Sequence, residues 1–185
     1  MRRGLAVLTL AGIALLTLSS AGLCEDDIYY ARCNLKVLKD TVSWLNWQAS
    51  PSLIPAGTKL KLAKAGDGGT LTNPETGATY RLDAGAAGDQ YIEKFVSKKA
   101  VNLKSHPEDV QAYIRSGMVK VGMTKAQVYL ALGPPVTVGG AKTNTMTYED
   151  IMNGTLWVYA RKRMSKNIGV AFDPVTGKVS RTEGI

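Results

Sequence analysis

The side chains able to perform covalent chemistry are few in this sequence, and their spacing does not assemble an active site. The only histidine, His106, precedes a proline at an expected helix start, where a histidine is typical of a cap or a surface position. No Ser/His/Asp set can be built around it. Acidic pairs occur only as sequence neighbours at terminal, helix-start or loop positions (Asp26-Asp27, Glu108-Asp109 and Glu149-Asp150), and no metal-ligand cluster is found. We therefore expect no enzyme activity, no cofactor and no catalytic or metal-binding residue.

The N-terminus has the layout of a secretory signal peptide. A positive start, Met1-Arg2-Arg3, precedes an apolar run, and Ser19-Ser20-Ala21 offers small residues at the positions that a signal peptidase recognises. The alternative is a membrane anchor, but the apolar run is shorter than the roughly 20 residues that span a bilayer. The sequence predicts a signal peptide over residues 1–21 and an exported protein, located in the periplasm, with association with the outer membrane as the alternative.

Two cysteines, Cys24 and Cys33, follow the predicted cleavage site closely. In an oxidising compartment two nearby cysteines most often pair, and closing so short a loop would stabilise the fold by roughly 2–3 kcal/mol. The competing interpretation is lipidation of Cys24 as in bacterial lipoproteins. The bulky Leu23 in front of this cysteine argues against lipidation, so a Cys24–Cys33 disulfide is the prediction.

Basic side chains are the first candidates for binding a partner. The 185-residue chain has a formal net charge of +8, and cleavage of the signal peptide would leave it basic. Outside the cytoplasm the natural anionic partners are lipid head groups, lipopolysaccharide, cell-wall polymers and acidic protein faces rather than nucleic acid. The densest cluster comprises Arg161, Lys162, Arg163 and Lys166. The alternative is a solvated edge strand whose charges block edge-to-edge pairing.

Aromatic side chains are the second candidates. Trp157 and Tyr159 alternate with smaller residues and share one face of a predicted strand, so they are either core under the helices or an interface anchor. Trp44 and Trp47, three positions apart, fall on opposite faces of a regular strand. One would then belong to the core and the other would be a candidate contact.

The elements that position these residues divide into two halves. Residues 22–98 predict a small β-barrel domain with strands at 30–38, 42–47, 59–63 and 79–82 and a helix over 89–98. Residues 105–185 predict two helices followed by an antiparallel sheet, which makes the whole chain α+β. The first helix runs from Pro107 to Gly117, and the second, Lys125 to Leu132, begins with a Thr124/Gln127 capping box. Strands are expected at 145–149, 156–162, 167–172 and 178–181, the last two joined by a turn at 173–177.

The stretch from Gly117 to Val179 resembles the BamE/SmpA-OmlA family of small envelope proteins. Three groups of residues carry the likeness, namely Val121-Gly122-Met123-Thr124 with Gln127-Val128 and Leu132-Gly133-Pro134-Pro135, then Trp157-Val158-Tyr159, then Val170-Ala171-Phe172 with Gly177-Lys178-Val179. The resemblance implies two helices on a three-stranded antiparallel sheet and an accessory role in outer-membrane assembly or maintenance. The preceding half looks like a small barrel of the Src-homology-3 type, from its strand pattern and the turn Ile54-Pro55-Ala56-Gly57-Thr58.

Two functions of different class follow from these features. The first is a non-enzymatic interaction protein, an adaptor that binds other envelope proteins, including outer-membrane assembly components. The second is a binder of a cell-wall glycan or an anionic lipid head group through the N-terminal barrel and its two tryptophans. An inhibitor of a secreted enzyme is a related possibility, because helix-plus-sheet modules also serve in that role.

Overall fold

The computed structural model describes residues 28–161 and 165–184, which form an α+β fold with two main sheets. The predicted signal peptide at 1–21, Cys24, Lys162 and Arg163 lie outside the described residues.

The N-terminal half is a curled mixed sheet, and the closed barrel predicted for it is wrong. Its strands are β1 (Ile28–Ala31), β2 (Leu35–Val37), β3 (Thr41–Ser43), β4 (Ser52–Ile54), β5 (Lys59–Ala65), β6 (Gly68–Thr72) and β7 (Thr79–Asp83). Helix α1 (Asp89–Ile92) and strand β8 (Val96–Ser97) follow. Six strands pair in the order β3-β7-β6-β5-β1-β8, and only β3 and β7 are parallel. The outermost strands β3 and β8 do not pair with each other, so the sheet is a half-barrel with β2 and β4 as a separate ribbon.

Two elements of this half are shorter than the sequence predicts. The strand expected over 42–47 ends at Ser43, because the chain turns through Asn46, which has a positive φ of 44°. The helix expected over 89–98 stops at Ile92. Val96 instead forms strand β8 and pairs with Ala31 of β1. This pairing, rather than the helical spacing of the apolar residues, determines the local structure.

The C-terminal half packs short helices on an antiparallel sheet. Its elements are α2 (Glu108–Ser116), α3 (Lys125–Leu132), β9 (Thr137–Val138), β10 (Ala141–Lys142), α4 (Tyr148–Asn153), β11 (Leu156–Tyr159), β12 (Ile168–Phe172) and β13 (Val179–Glu183). The sheet has five strands in the order β10-β9-β11-β12-β13 rather than the three that the resemblance implied. The missed strands β9 and β10 have two residues each, too few to show a periodic pattern.

Capping residues set the helix boundaries in this half. The prediction for α3 is confirmed: the Thr124 hydroxyl accepts from the Gln127 N–H, and the Gln127 side chain accepts from the Thr124 N–H. The strand predicted over 145–149 is wrong, because Thr147 and Asp150 form a second capping box that starts α4. The same sequence signature was present there and would have identified the helix.

One hydrophobic core runs through both halves and is joined by buried polar side chains. The four buried polar or charged residues of the described chain are Asn34, Asn46, Lys94 and Thr143. Asn34, Asn46 and Lys94 come from the N-terminal half, and each donates from its side chain to backbone carbonyls of the C-terminal half. The two halves are therefore held in a defined arrangement by directional bonds as well as by apolar contact.

Candidate functional site

The five-stranded sheet has one face against the helices and one face open. Trp157 and Tyr159 of β11 point inward and are fully buried, whereas Leu156 and Val158 point outward. Leu156 retains 43% of its surface, which is high for a leucine in a strand at the middle of a sheet. This alternation is the expected pattern for a sheet covered on one side only.

Strand pairing places a groove along β12 on this open face. Leu156 pairs with Ala171 and Val158 pairs with Gly169, so the side chains of β12 are small where those of β11 are large. On the other side Ala171 pairs with Arg181 and Gly169 with Glu183 of β13. The resulting cavity of about 180 Å³ is lined by Leu156, Val158, Gly169, Ala171, Arg181 and Glu183, and we call it the β12 groove.

Gly169 forms the floor of the β12 groove, although the backbone and the surrounding packing do not require a glycine at this position. Its φ lies outside the left-handed region. A Cβ added there would meet only Glu183, at 3.6 Å from its Cβ and 3.9 Å from Oε2, which are ordinary contacts. A glycine inside a strand weakens it and often marks a place where another backbone or a ligand approaches closely. Gly169 therefore keeps the groove open at a cost to strand stability.

The two walls of the β12 groove differ in chemistry. The β11 wall is apolar, through Leu156 and Val158. The β13 wall is charged, because Arg181 and Glu183 form an ion pair with 3.2 Å between Nη2 and Oε1. Such a groove suits a segment with apolar side chains on one side and polar or charged groups on the other.

Two residues of the predicted basic cluster, Arg161 and Lys166, lie between β11 and β12 at one end of the β12 groove. Arg161, half-buried, follows β11, and Lys166, exposed, precedes β12. Lys162 and Arg163 lie between them, outside the described residues. Arg161 and Lys166 lie outside the strands themselves, between the central strand β11 and its neighbour β12.

The structure places Trp157 and Tyr159 in the core beneath the helices. The Trp157 indole N–H donates to the Ile151 carbonyl of α4 at 3.0 Å, and the Tyr159 hydroxyl donates to the Gly133 carbonyl after α3 at 3.2 Å. The Trp157 ring also lies edge-on to Tyr129 and Phe172. The core interpretation is confirmed, and neither side chain is accessible to a partner.

The other two predicted aromatic residues lie in the turn after β3 rather than on a strand. Trp44 and Trp47 are both half-buried. Trp44 packs against the core beside Gly85. Trp47 lines a shallow groove of about 120 Å³ together with Leu38 and Leu45. Trp47 is thus the tryptophan of this pair that remains a candidate contact.

The remaining chemically capable side chains do not gather into a reactive site within the described residues. Cys33 is a fully buried free thiol, and burial raises its pKa to about 12. Its predicted disulfide partner Cys24 lies outside the described residues, so that disulfide stays a prediction. The His106 ring lies 3.5 Å from the Gln127 amide nitrogen, beside the start of α2. In the part of the chain that the structure describes, no group of three or more histidine, cysteine, aspartate or glutamate side chains is placed to hold a metal ion.

Comparison with known proteins identifies no relative of this chain. No protein-family model, curated protein or solved structure matches the chain at a significant level. Over residues 28–161 and 165–184, none of the helices is both long enough and apolar enough to cross a bilayer.

Proposed function

We propose that this chain is a non-enzymatic interaction protein of the cell envelope that binds a segment of a partner protein in the β12 groove. The observation that carries the proposal is Gly169, the second residue of β12, which leaves the open face of the sheet unfilled where a larger side chain would fit. Natural sequences depart from local stability rules chiefly at functional sites, and this departure lies on an uncovered sheet face.

The groove's two walls specify the chemistry of the partner segment. Leu156 and Val158 would bury apolar side chains of the partner, and the Arg181–Glu183 pair would accept and donate polar contacts at the rim. Arg161 and Lys166, at the end of the groove, favour a partner that is acidic next to its apolar segment, because surface charge steers association.

The resemblance to the BamE/SmpA-OmlA family supports an accessory role in outer-membrane assembly or maintenance. In the structure the residues that carry the likeness mostly serve the scaffold. Thr124 and Gln127 cap α3, Gly133 ends it with a positive φ of 77°, and Trp157 fills the core. We propose that the C-terminal half is a module of that type and that the N-terminal half-barrel is a divergent relative of the Src-homology-3 barrel.

Site-specific photo-crosslinking in intact envelopes tests this function. A photo-reactive amino acid in place of Leu156 should give a discrete adduct that mass spectrometry identifies as an envelope protein. The same amino acid in place of Thr70, on the outer face of the N-terminal sheet, is the matched control and should not give that adduct. Absence of an adduct at Leu156, or the same adduct from both positions, would count against the β12 groove as the binding site.

A second candidate function is the binding of a cell-wall glycan or lipid head group by the N-terminal half. The half-buried Trp47 beside Leu38 and Leu45 favours it, because a partly exposed indole in a shallow groove can stack against a sugar face. Tryptophan fluorescence of the wild type should then shift with cell-wall fragments or anionic vesicles, and Trp47→Phe should remove the shift. An unchanged spectrum with both ligands would remove this candidate.

A further inference from the structure

A second cavity, separate from the β12 groove, lies where the two halves of the chain meet. It has a volume of about 190 Å³. Its lining comes from both halves, and we call it the junction cleft: Arg32, Ser97, Lys99, Ala100, Val101, Ala126, Tyr129, Leu130 and Tyr148. Because the N-terminal half supplies Arg32 and the C-terminal half supplies α3 and Tyr148, the cleft exists only when the two halves are packed together.

Arg32 is held in one orientation at this cleft. Its guanidinium carbon lies 4.4 Å from the centroid of the Tyr148 ring, and its Nε–H donates to the Glu93 carbonyl. Tyr148 is itself fixed by an edge-on contact with the fully buried Tyr129, with 5.0 Å between ring centroids. A guanidinium that is already stacked and anchored at Nε loses little further freedom when its terminal nitrogens bind an oxyanion.

The charge of the junction cleft has one sign. Arg32 and Lys99 are its two cations, and none of the described residues that line it is acidic. None of the ion pairs within the described residues includes Arg32. Its Nε–H donates to a backbone carbonyl instead. An anion entering the cleft would therefore meet two positive charges and no carboxylate among the residues that line it.

The floor of the junction cleft is apolar. Ala126 and Leu130 lie one helical turn apart on α3, and Ala100 and Val101 face them from the segment after β8. A ligand that satisfies both surfaces needs an oxyanion at one end and a short apolar group at the other. We propose that the junction cleft binds a small amphiphilic oxyanion, with its carboxylate or phosphate on Arg32 and Lys99 and its apolar part against Ala126 and Leu130.

Calorimetric titration of the full chain with four matched probes tests this site: hexanoate, hexyl phosphate, inorganic phosphate and hexanol. Hexanoate or hexyl phosphate should bind, and the tighter of the two identifies the head group. Inorganic phosphate and hexanol should each bind at least about tenfold more weakly, because each lacks one of the two contacts. Binding of hexanol as tight as that of hexanoate, or binding of none of the four probes, would overturn the proposal.

Three variants assign the binding to this cleft. Lys99→Gln removes an exposed charge and should weaken binding several-fold, and Arg32→Gln should weaken it by about tenfold or more. Ala126→Trp fills the floor from an exposed helix position and should abolish binding while both charges remain. The control is Lys142→Gln, which makes the same charge change on β10. If Lys99→Gln and Ala126→Trp fold and bind as the wild type does, the proposal is wrong, whatever the fate of Arg32→Gln.

Discussion

The side-chain amide nitrogen of Asn34 lies 2.6 Å from the carbonyl oxygen of Ile114 and donates a hydrogen bond to it. The same nitrogen donates to the Ala131 carbonyl at 3.1 Å, and the Asn34 side-chain oxygen accepts from the Ala56 N–H at 3.0 Å. Carbonyls in the last turn of a helix have no partner within that helix. One buried asparagine thus bonds a carbonyl in the last turn of α2 and another in the last turn of α3.

Asn34→Asp should destabilise the protein strongly, because a carboxylate has the shape of the amide but cannot donate to either carbonyl. We expect a loss of about 3 kcal/mol in the free energy of unfolding, measured by urea denaturation at neutral pH. Asn167→Asp, at an exposed position before β12, is the control and should change the free energy of unfolding little. Equal urea midpoints for the two variants would show that the Asn34 donors do not hold the halves together.

Lys94 should give the protein a stability that depends on pH in the alkaline range. Its Nζ donates to the carbonyls of Ala84, Thr143 and Asn144, and burial lowers its pKa from 10.5 to about 8. Between those two values the unfolded chain holds more protons than the folded one. The contribution of Lys94 to the free energy of unfolding therefore rises with pH from about 8 to 10.5.

The buried thiol of Cys33 acts in the opposite direction in the reduced protein. Its pKa is raised from 9.0 to about 12, so its contribution to stability falls as pH increases above 9. The effect of Cys33 drops out when the free energy of unfolding of Lys94→Met is subtracted from that of the wild type, because both proteins keep Cys33. We expect that difference to grow from about pH 7 to pH 10 in urea titrations, whereas Lys142→Met should show no such trend. A difference that shrinks or stays constant would mean that Lys94 does not titrate below its ordinary range.

Gly169→Val should stabilise the fold and at the same time remove partner binding. The added side chain fits a strand without strain and should raise the free energy of unfolding by about 0.5–1 kcal/mol. It would fill the β12 groove, so the crosslink from Leu156 should disappear. Gly68→Val is the matched contrast, because its Cβ would lie 2.0 Å from the Leu82 carbonyl oxygen and should destabilise the protein. A stable Gly169→Val protein that still forms the adduct would exclude the groove as the contact.

Charge reversal in the basic cluster should slow partner capture without affecting the fold. We expect Arg161→Glu, Lys162→Glu and Arg163→Glu together to reduce adduct formation at Leu156, most clearly at low salt, because these charges act through long-range attraction. The control for net charge reverses three exposed lysines elsewhere in the chain, Lys59→Glu, Lys104→Glu and Lys142→Glu together. Unchanged capture in the triple variant would remove this cluster from the binding surface.

The predicted Cys24–Cys33 disulfide can be tested directly on protein isolated from cells without a reductant. If it forms, alkylation under denaturing, non-reducing conditions should label neither cysteine. Reduction should then expose both to the reagent. Labelling of Cys33 without reduction would show that it keeps the free, buried thiol described here.

Local signals in the sequence were sufficient where a residue acts on its own neighbours. The capping box at Thr124 and the turn from Asp173 to Gly177 each predicted the structure found. In each case the hydrogen bonds that define the element close within a few residues. The sequence also contains the equivalent capping box at Thr147 and Asp150, and because it was not recognised, α4 was not predicted.

The sequence by itself determined the α+β class, the helices α2 and α3, the C-terminal hairpin and the fact that Trp157 and Tyr159 share one face of a strand, because periodicity and capping act over short distances along the chain. Only the tertiary structure decided that the N-terminal sheet stays open, that Val96 leaves its helix to pair with Ala31, and that Gly169 faces solvent between Val158 and Glu183. Strand order and register depend on pairings between residues far apart in the chain, which no local pattern encodes. The β12 groove arises from such pairings, and the junction cleft arises from the packing of the two halves.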